Sequence, residues 1–198
     1  HKTVRRQRQM CIRDSCNSHS SFKDKVSMSN LCQEITLPTT PIQDIHDEQG
    51  EIALCILSAI NVGALNDLSE LENICDLSVR ALEQIIDYQD YPVKAAEVST
   101  KKRRSLGIGY IGLAHYLSKN GVKYSDPKAW ELVDRLSEAF QYHLLRASCD
   151  IAMEKGKCEG FERTKYADGL LPIDHYKKDV DEICLLYTSD AADERSWG

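Results

Sequence analysis

Residues Ser29–Ile35 read SNLCQEI, and the chain runs on through TLPTTP to Pro41. In an extended segment successive side chains alternate sides, so Asn30, Cys32 and Glu34 share one face and Leu31, Gln33 and Ile35 share the other. An amide, a thiol and a carboxylate then stand in a row. Pro38 and Pro41 end the extended run, because proline cannot donate to a ladder. A nucleophilic cysteine needs a base or a positive field to form thiolate, whereas Glu34 opposes ionisation. The row suits a thiol that works neutral, giving up a hydrogen atom and then taking one from carbon. Glu34 can accept a proton from a substrate hydroxyl, and Asn30 can hold the neighbouring one. On these residues alone, a small buried filler at Cys32 remains the simpler reading.

Outward from that stretch the chain alternates short apolar runs with long amphipathic ones. Asp47–Gly50 is a predicted turn, and Ile52–Leu57 is a compact apolar run that is strand-like, though its periodicity alone does not separate strand from helix. The clearest helix lies within Leu68–Pro92, with Ser69 and Glu72 as a capping box. Its apolar stripe is Leu71, Ile74, Cys75, Ser78, Leu82, Ile85 and Ile86. KKRRSLGIGYIGLAHYLSKNG, from Lys101, offers a solvated charged turn and then an apolar segment running into a helix. A long helix follows, with Asp126 as N-cap, Pro127 in its first turn and Gly156 after its last. Trp130, Val133, Leu136, Phe140, Leu144, Ala147 and Ile151 form its expected buried face. Phe161–Asp179 is loop-rich. Short strands between long helices predict an α/β fold.

Bulk composition narrows the function classes. The chain has 198 residues, 42% of them hydrophobic, enough for one globular core. A net charge of −6 disfavours nucleic-acid and membrane-surface partners. No apolar run approaches the roughly 20 residues of a spanning helix, and no export signal is evident. Eight cysteines without a Cys-x-x-Cys pair point to free thiols in a reducing cytoplasm. The six histidines show no i, i+4 pairing, so no metal site is expected. Gly107, Gly109 and Gly112 in GIGYIG fit the dinucleotide pattern G-x-G-x-x-G. The charged run Lys101–Arg104 precedes them where a hydrophobic strand belongs, so close packing is the better reason for these glycines. A nucleotide-binding module around GIGYIG is kept as an alternative. Cys16, Cys75, Cys149 and Cys158 read as filler, as Cys55 does on its residues alone.

The two ends share an origin. Arg5–Ser15 (RRQRQMCIRDS) back-translates to a DNA whose reverse complement encodes CLLYTSDAAD, which is Cys184–Asp193 residue for residue. An inverted repeat of this kind is expected of a transposon adapter on both sides of an insert. Residues 1–15 and 184–198 are therefore read as adapter-derived, and 16–183 as a piece of a longer protein.

Several blocks carry a family resemblance: SNLCQEITLPT, DEQGEIALCILSAINVGAL, DYQDYP, RRSLGIG and YADGLLPIDHYKKD. In this order and spacing they resemble the catalytic domain of class I ribonucleotide reductase large subunits, of the bacterial aerobic diphosphate type. The resemblance covers about 16–183. It implies part of a ten-stranded α/β barrel with long helices and a central loop bearing a radical cysteine. The implied activity is reduction of ribonucleoside diphosphates to 2′-deoxyribonucleoside diphosphates. Cys32 would be the thiyl radical that takes the 3′ hydrogen, Glu34 the base at the 3′-hydroxyl, and Asn30 a substrate ligand. Cys55 would be one of a redox-active pair whose other member lies upstream of this stretch.

No cofactor is implied within this stretch. The radical would come from a small subunit with a metal-radical cofactor, and electrons from thioredoxin or glutaredoxin. ATP and dNTP effectors would bind elsewhere, and the full-length subunit would be a homodimer in the cytoplasm. An adenosylcobalamin-dependent reductase is the alternative that keeps this chemistry. As a piece of the enzyme the chain by itself is expected to be inactive, and part of a closed barrel, exposing sheet edges, is not expected to fold stably alone.

Overall fold

A computed structural model describes residues 21–27, 36–171 and 174. These fall into two compact units, one made of residues up to 54, 93–99 and from 159 onward, the other of 55–92 and 100–158.

The second unit is built on two parallel strands, β1 (Ile56–Asn61) and β2 (Leu106–Ile111). Parallel neighbours need a long crossover, and here it carries α1 (Glu70–Tyr88) and α2 (Lys94–Arg103). Then come α3 (Leu113–Lys119) and α4 (Pro127–Lys155). The register pairs Ile56 with Leu106, Leu57 with Gly107 and Asn61 with Ile111. The apolar run predicted as a strand over Ile52–Leu57 is thus strand only at its end. Ile52 instead donates its N–H to Ala95 O at 3.3 Å, within the first unit.

Ile60, Ile108 and Tyr110 press one face of the pair onto Leu71, Cys75, Leu136 and Phe140 of α1 and α4. The Tyr110 and Phe140 rings meet edge to face, 5.4 Å between centroids. Leu106 and Ile108 also pack on Val79, Ala147 and Ile151. Arg80 ties the helices together, bonding Asp76 one turn back and forking onto Glu154 through two 2.7 Å bonds.

Several predicted details differ. Ser69 has helical backbone and makes no side-chain cap; Asp67 Oδ1 accepts its N–H at 2.8 Å, so the turn into α1 begins earlier. Val79 and Glu83 are buried where the predicted stripe has Ser78 and Ile85, Val79 packing on Ala147 and Ile151 of α4 and Glu83 under the Arg104 side chain. Trp130 is 73% exposed, and the adjacent Ala129 takes the buried place in the core cluster. Cys149 is exposed on α4. Lys101–Arg103 close α2, and Arg103 is buried, so KKRR is not a solvated turn.

The step from α2 into β2 is made at Arg104, whose φ of 46° is left-handed. Its guanidinium bonds Glu83 Oε1 at 2.7 Å, Asp87 at 2.8 and 2.9 Å and Glu83 O at 3.1 Å. Such a fork offsets the strain of a non-glycine residue there.

In the first unit, the turn expected at Asp47–Gly50 lies between Thr40 and Glu51, which exchange backbone bonds. Asp47 Oδ1 accepts the N–H groups of Gln49 and Gly50 and caps it. Phe22 pairs with Thr164 in an isolated antiparallel bridge.

Candidate functional site

Asn30, Cys32 and Glu34 lie outside the described residues. What the structure gives is the backbone on either side of them, all of it in the first unit. Before them, Lys165 donates to Ser21 O at 2.7 Å and Lys23 N to Arg163 O at 2.9 Å. Lys23 Nζ bonds Asp168 at 2.8 Å, Ser21 Oγ bonds Tyr166 Oη at 3.1 Å, and the Arg163 guanidinium grips Asp24. After them, Pro38 is buried and the Thr40–Glu51 bridge closes the turn. Both flanks are tied by backbone bonds, which hold position more firmly than exposed ion pairs do. The residues 161–168 that hold the entry carry no chemical motif. Their role was not readable as a site, because it rests on a pairing far apart in sequence.

Cys55 is described. It stands immediately before β1 in the second unit and is half-buried. Its thiol lies 3.9 Å from the Ile56 carbonyl, a weak sulfur contact, and burial pushes its pKa above the ordinary thiol value. A thiol held neutral in this way is not a ready nucleophile at pH 7. Cys55 precedes Leu57 by two residues, which places both against Gly107 on the neighbouring strand. Leu57, Ala59, Asn61, Gly109 and Ile111 on β1 and β2 are exposed, on the side away from α1 and α4. Ser105, the residue before β2, has a buried hydroxyl without a partner among the described residues.

The ends of the strands are locked together. Asn61 Oδ1 accepts the Gly63 N–H at 3.2 Å, and Lys119 Nζ donates to Leu65 O at 2.7 Å. Gly112 takes a left-handed φ of 79° at the start of α3, where any side chain would strike Asn61.

The GIGYIG segment does not form a phosphate loop. Gly107 and Gly109 lie inside β2, hydrogen-bonded to β1, and only Gly112 stands at a helix start. The dinucleotide pattern requires its glycines in the turn after the strand. Among the described residues there is no cluster of metal-ligating side chains, and no helix is long and apolar enough to cross a membrane.

Comparison with known families decides what this parallel pair belongs to. The family described as "Ribonucleotide reductase, barrel domain" matches residues 7–197. The chain belongs to the ribonucleotide reductase barrel-domain family. Its curated relatives include proteins named ribonucleoside-diphosphate reductase subunit alpha. That of Buchnera aphidicola subsp. Baizongia pistaciae is 58% identical over 174 residues, covering 86% of this chain and 23% of the relative. That of Haemophilus influenzae is 57% identical over 173 residues, with the same two coverages. Ribonucleoside-diphosphate reductase 1 subunit alpha of Escherichia coli K12 is 54% identical over 173 residues, again with 86% and 23% covered. The chain thus spans about a quarter of the length of the curated relatives it matches. The described residues, helices against one face of a parallel pair, are a partial α/β barrel, as the resemblance implies.

Proposed function

We propose that the protein carrying this stretch reduces ribonucleoside diphosphates to 2′-deoxyribonucleoside diphosphates by thiyl-radical chemistry, and that Asn30, Cys32, Glu34 and Cys55 act in it. The observation that carries this reading is the match over residues 7–197, which includes all four positions, to a family whose members are reductases by name.

The Cys32 thiyl takes the 3′ hydrogen of the ribose while Glu34 accepts the 3′-hydroxyl proton and Asn30 holds the substrate. The 2′-hydroxyl leaves as water. Cys55 and a second cysteine outside this chain supply two electrons and two protons, one proton leaving in the water and the other ending on the 2′ carbon, and they end as a disulfide. Cys32, now a thiol, returns that hydrogen to the 3′ carbon radical and is again a thiyl radical, ready for the next cycle. The neutral state that burial favours at Cys55 supports this role, because the thiol must give a hydrogen as well as an electron.

A separate small subunit with a metal-radical cofactor supplies the initiating radical, and thioredoxin or glutaredoxin reduces the disulfide. The relatives' designation as alpha subunits favours this partnership over an adenosylcobalamin enzyme. The full-length subunit is proposed as a cytoplasmic homodimer whose ATP and dNTP effectors bind elsewhere. In a closed barrel with helices outside, the exposed face of β1 and β2 is the one turned to the axis. Residues 1–15 and 184–198 are proposed as adapter-encoded; amplifying the locus from genomic DNA and reading native codons in their place is the expected result.

The test uses the full-length α subunit carrying this stretch, mixed with its small subunit. Cys32→Ser is expected to reduce CDP turnover by about a thousandfold or more. Cys55→Ser is expected to stop thioredoxin-driven turnover. Full activity of Cys32→Ser would end the radical assignment.

A further inference from the structure

Gly107 sits inside β2, opposite Leu57 in the parallel register. Glycine in a strand interior is the less stable choice, since it orders more backbone and packs nothing, so its presence there needs a local reason. The reason is visible in the space a side chain would occupy. A methyl group at residue 107 would lie 3.0 Å from Cys55 Sγ and 2.6 Å from Leu57 Cδ2. Both distances are inside the about 3.5–4.0 Å of ordinary non-bonded contact. The Cys55 sulfur therefore rests against the β2 backbone, in room left by the missing side chain.

Gly109, two residues along on the same strand, has nothing within 4 Å of the corresponding position. The two glycines share a strand and a face but not a neighbourhood. Both obstacles at 107 are the free ends of side chains. Leu57 is 55% exposed and can swing outward. Cys55 has only its χ1 torsion to turn, so an added methyl at 3.0 Å displaces the sulfur by a few tenths of an ångström. Both can adjust without moving the backbone, but the thiol then leaves its place.

We infer that Gly107 is a positioning residue for Cys55, its missing side chain fixing where the thiol sits over β2. The functional meaning of that position rests on the reading of Cys55 as one of the redox pair, whereas the position itself does not. A reducing thiol that must reach both a substrate carbon and a partner sulfur tolerates little displacement, because misplacement by about 1 Å can cost on the order of a hundredfold in rate.

The experiment compares Gly107→Ala, Gly107→Ala/Leu57→Ala and Gly109→Ala in the full-length α subunit. Cys55 alkylation by iodoacetamide is followed by mass spectrometry of its peptide across pH, beside turnover of CDP. In both residue-107 variants the alkylation rate is expected to move by about fivefold or more, and in Gly109→Ala to stay within about twofold. Turnover in the residue-107 variants is expected to lose about tenfold or more in kcat with KM within about twofold. The double variant removes the Leu57 obstacle, so a folding failure of the single variant leaves the test intact. Unchanged alkylation in the double variant overturns the inference, as does an equal change in Gly109→Ala. A changed alkylation rate with unchanged turnover upholds the position of the thiol and overturns the redox reading of Cys55.

Discussion

The two faces of the β1–β2 pair come from alternate residues of the same strands, yet they do different work. Toward α1 and α4, Ile60, Ile108 and Tyr110 join Leu71, Cys75, Leu136 and Phe140 in one apolar cluster. Toward the other side stand Leu57, Ala59, Asn61, Gly107, Gly109 and Ile111, small or exposed, with Cys55 at the edge of the row. Cys75 and Cys55 make the contrast concrete. One sulfur is completely buried among core side chains, and the other is half-buried over a glycine. Stability concentrates on the face with large side chains, and the other face is free to be shaped by chemistry.

The largest effect expected from this division is in the core. Leu136→Ala or Leu71→Ala removes a fully buried side chain and should cost about 2–5 kcal/mol. Hydrogen exchange of the α1 and α4 amides measures it, and a loss below about 1 kcal/mol would contradict the assignment of stability to that face.

A smaller loss, about 1–3 kcal/mol, is expected of Arg104→Ala, which leaves the Glu83 carboxylate without its partner in a site that is mostly buried. Arg104 also holds the Asp87 carboxyl below its ordinary pKa. A group with a lowered folded pKa contributes stability above its unfolded value of 3.8 and loses it as pH falls through the folded value. The protection of α1 should therefore weaken in acid, and Arg104→Ala should flatten that dependence.

The two thiols separate by pH. Burial raises Cys75 from 9.0 to about 11, so the fold favours the protonated thiol there. Its stabilising contribution is complete below about 9 and is lost as pH climbs toward about 11. Cys55, raised in the same direction by its own partial burial, should be alkylated before Cys75 at every pH. Alkylation of Cys75 first would invert the comparison. The smallest effect belongs to Leu57→Ala, which should change the exchange of β1 by no more than about 0.5 kcal/mol.

Much of this was legible along the chain. The two long helices follow from their apolar periodicity, and Pro127 and Gly156 mark the bounds of α4 because each has a fixed backbone preference. The failures have physical causes as particular. The residues of α1 predicted from a single stripe missed Val79 and Glu83, since which flank of a helix is covered depends on the element that arrives there. Trp130 belongs to the expected stripe by its spacing, whereas the neighbouring Ala129 is the residue the core covers. The Asn30, Cys32 and Glu34 row could be named from alternation alone, and it lies outside the described residues. Gly107 was read only as a packing glycine, because its neighbour Cys55 is brought to it by a parallel pairing across a long crossover.

By itself the sequence determined what depends on neighbours in the chain: helix periodicity, chain-reversing turns, the order of its blocks and the family they resemble. Only the tertiary structure decided which face of the strands is covered, that Arg104 closes on Glu83 and Asp87, and that the Cys55 sulfur lies over Gly107. Those facts join residues far apart in sequence, and no local preference encodes a contact whose partner arrives only when the chain has folded.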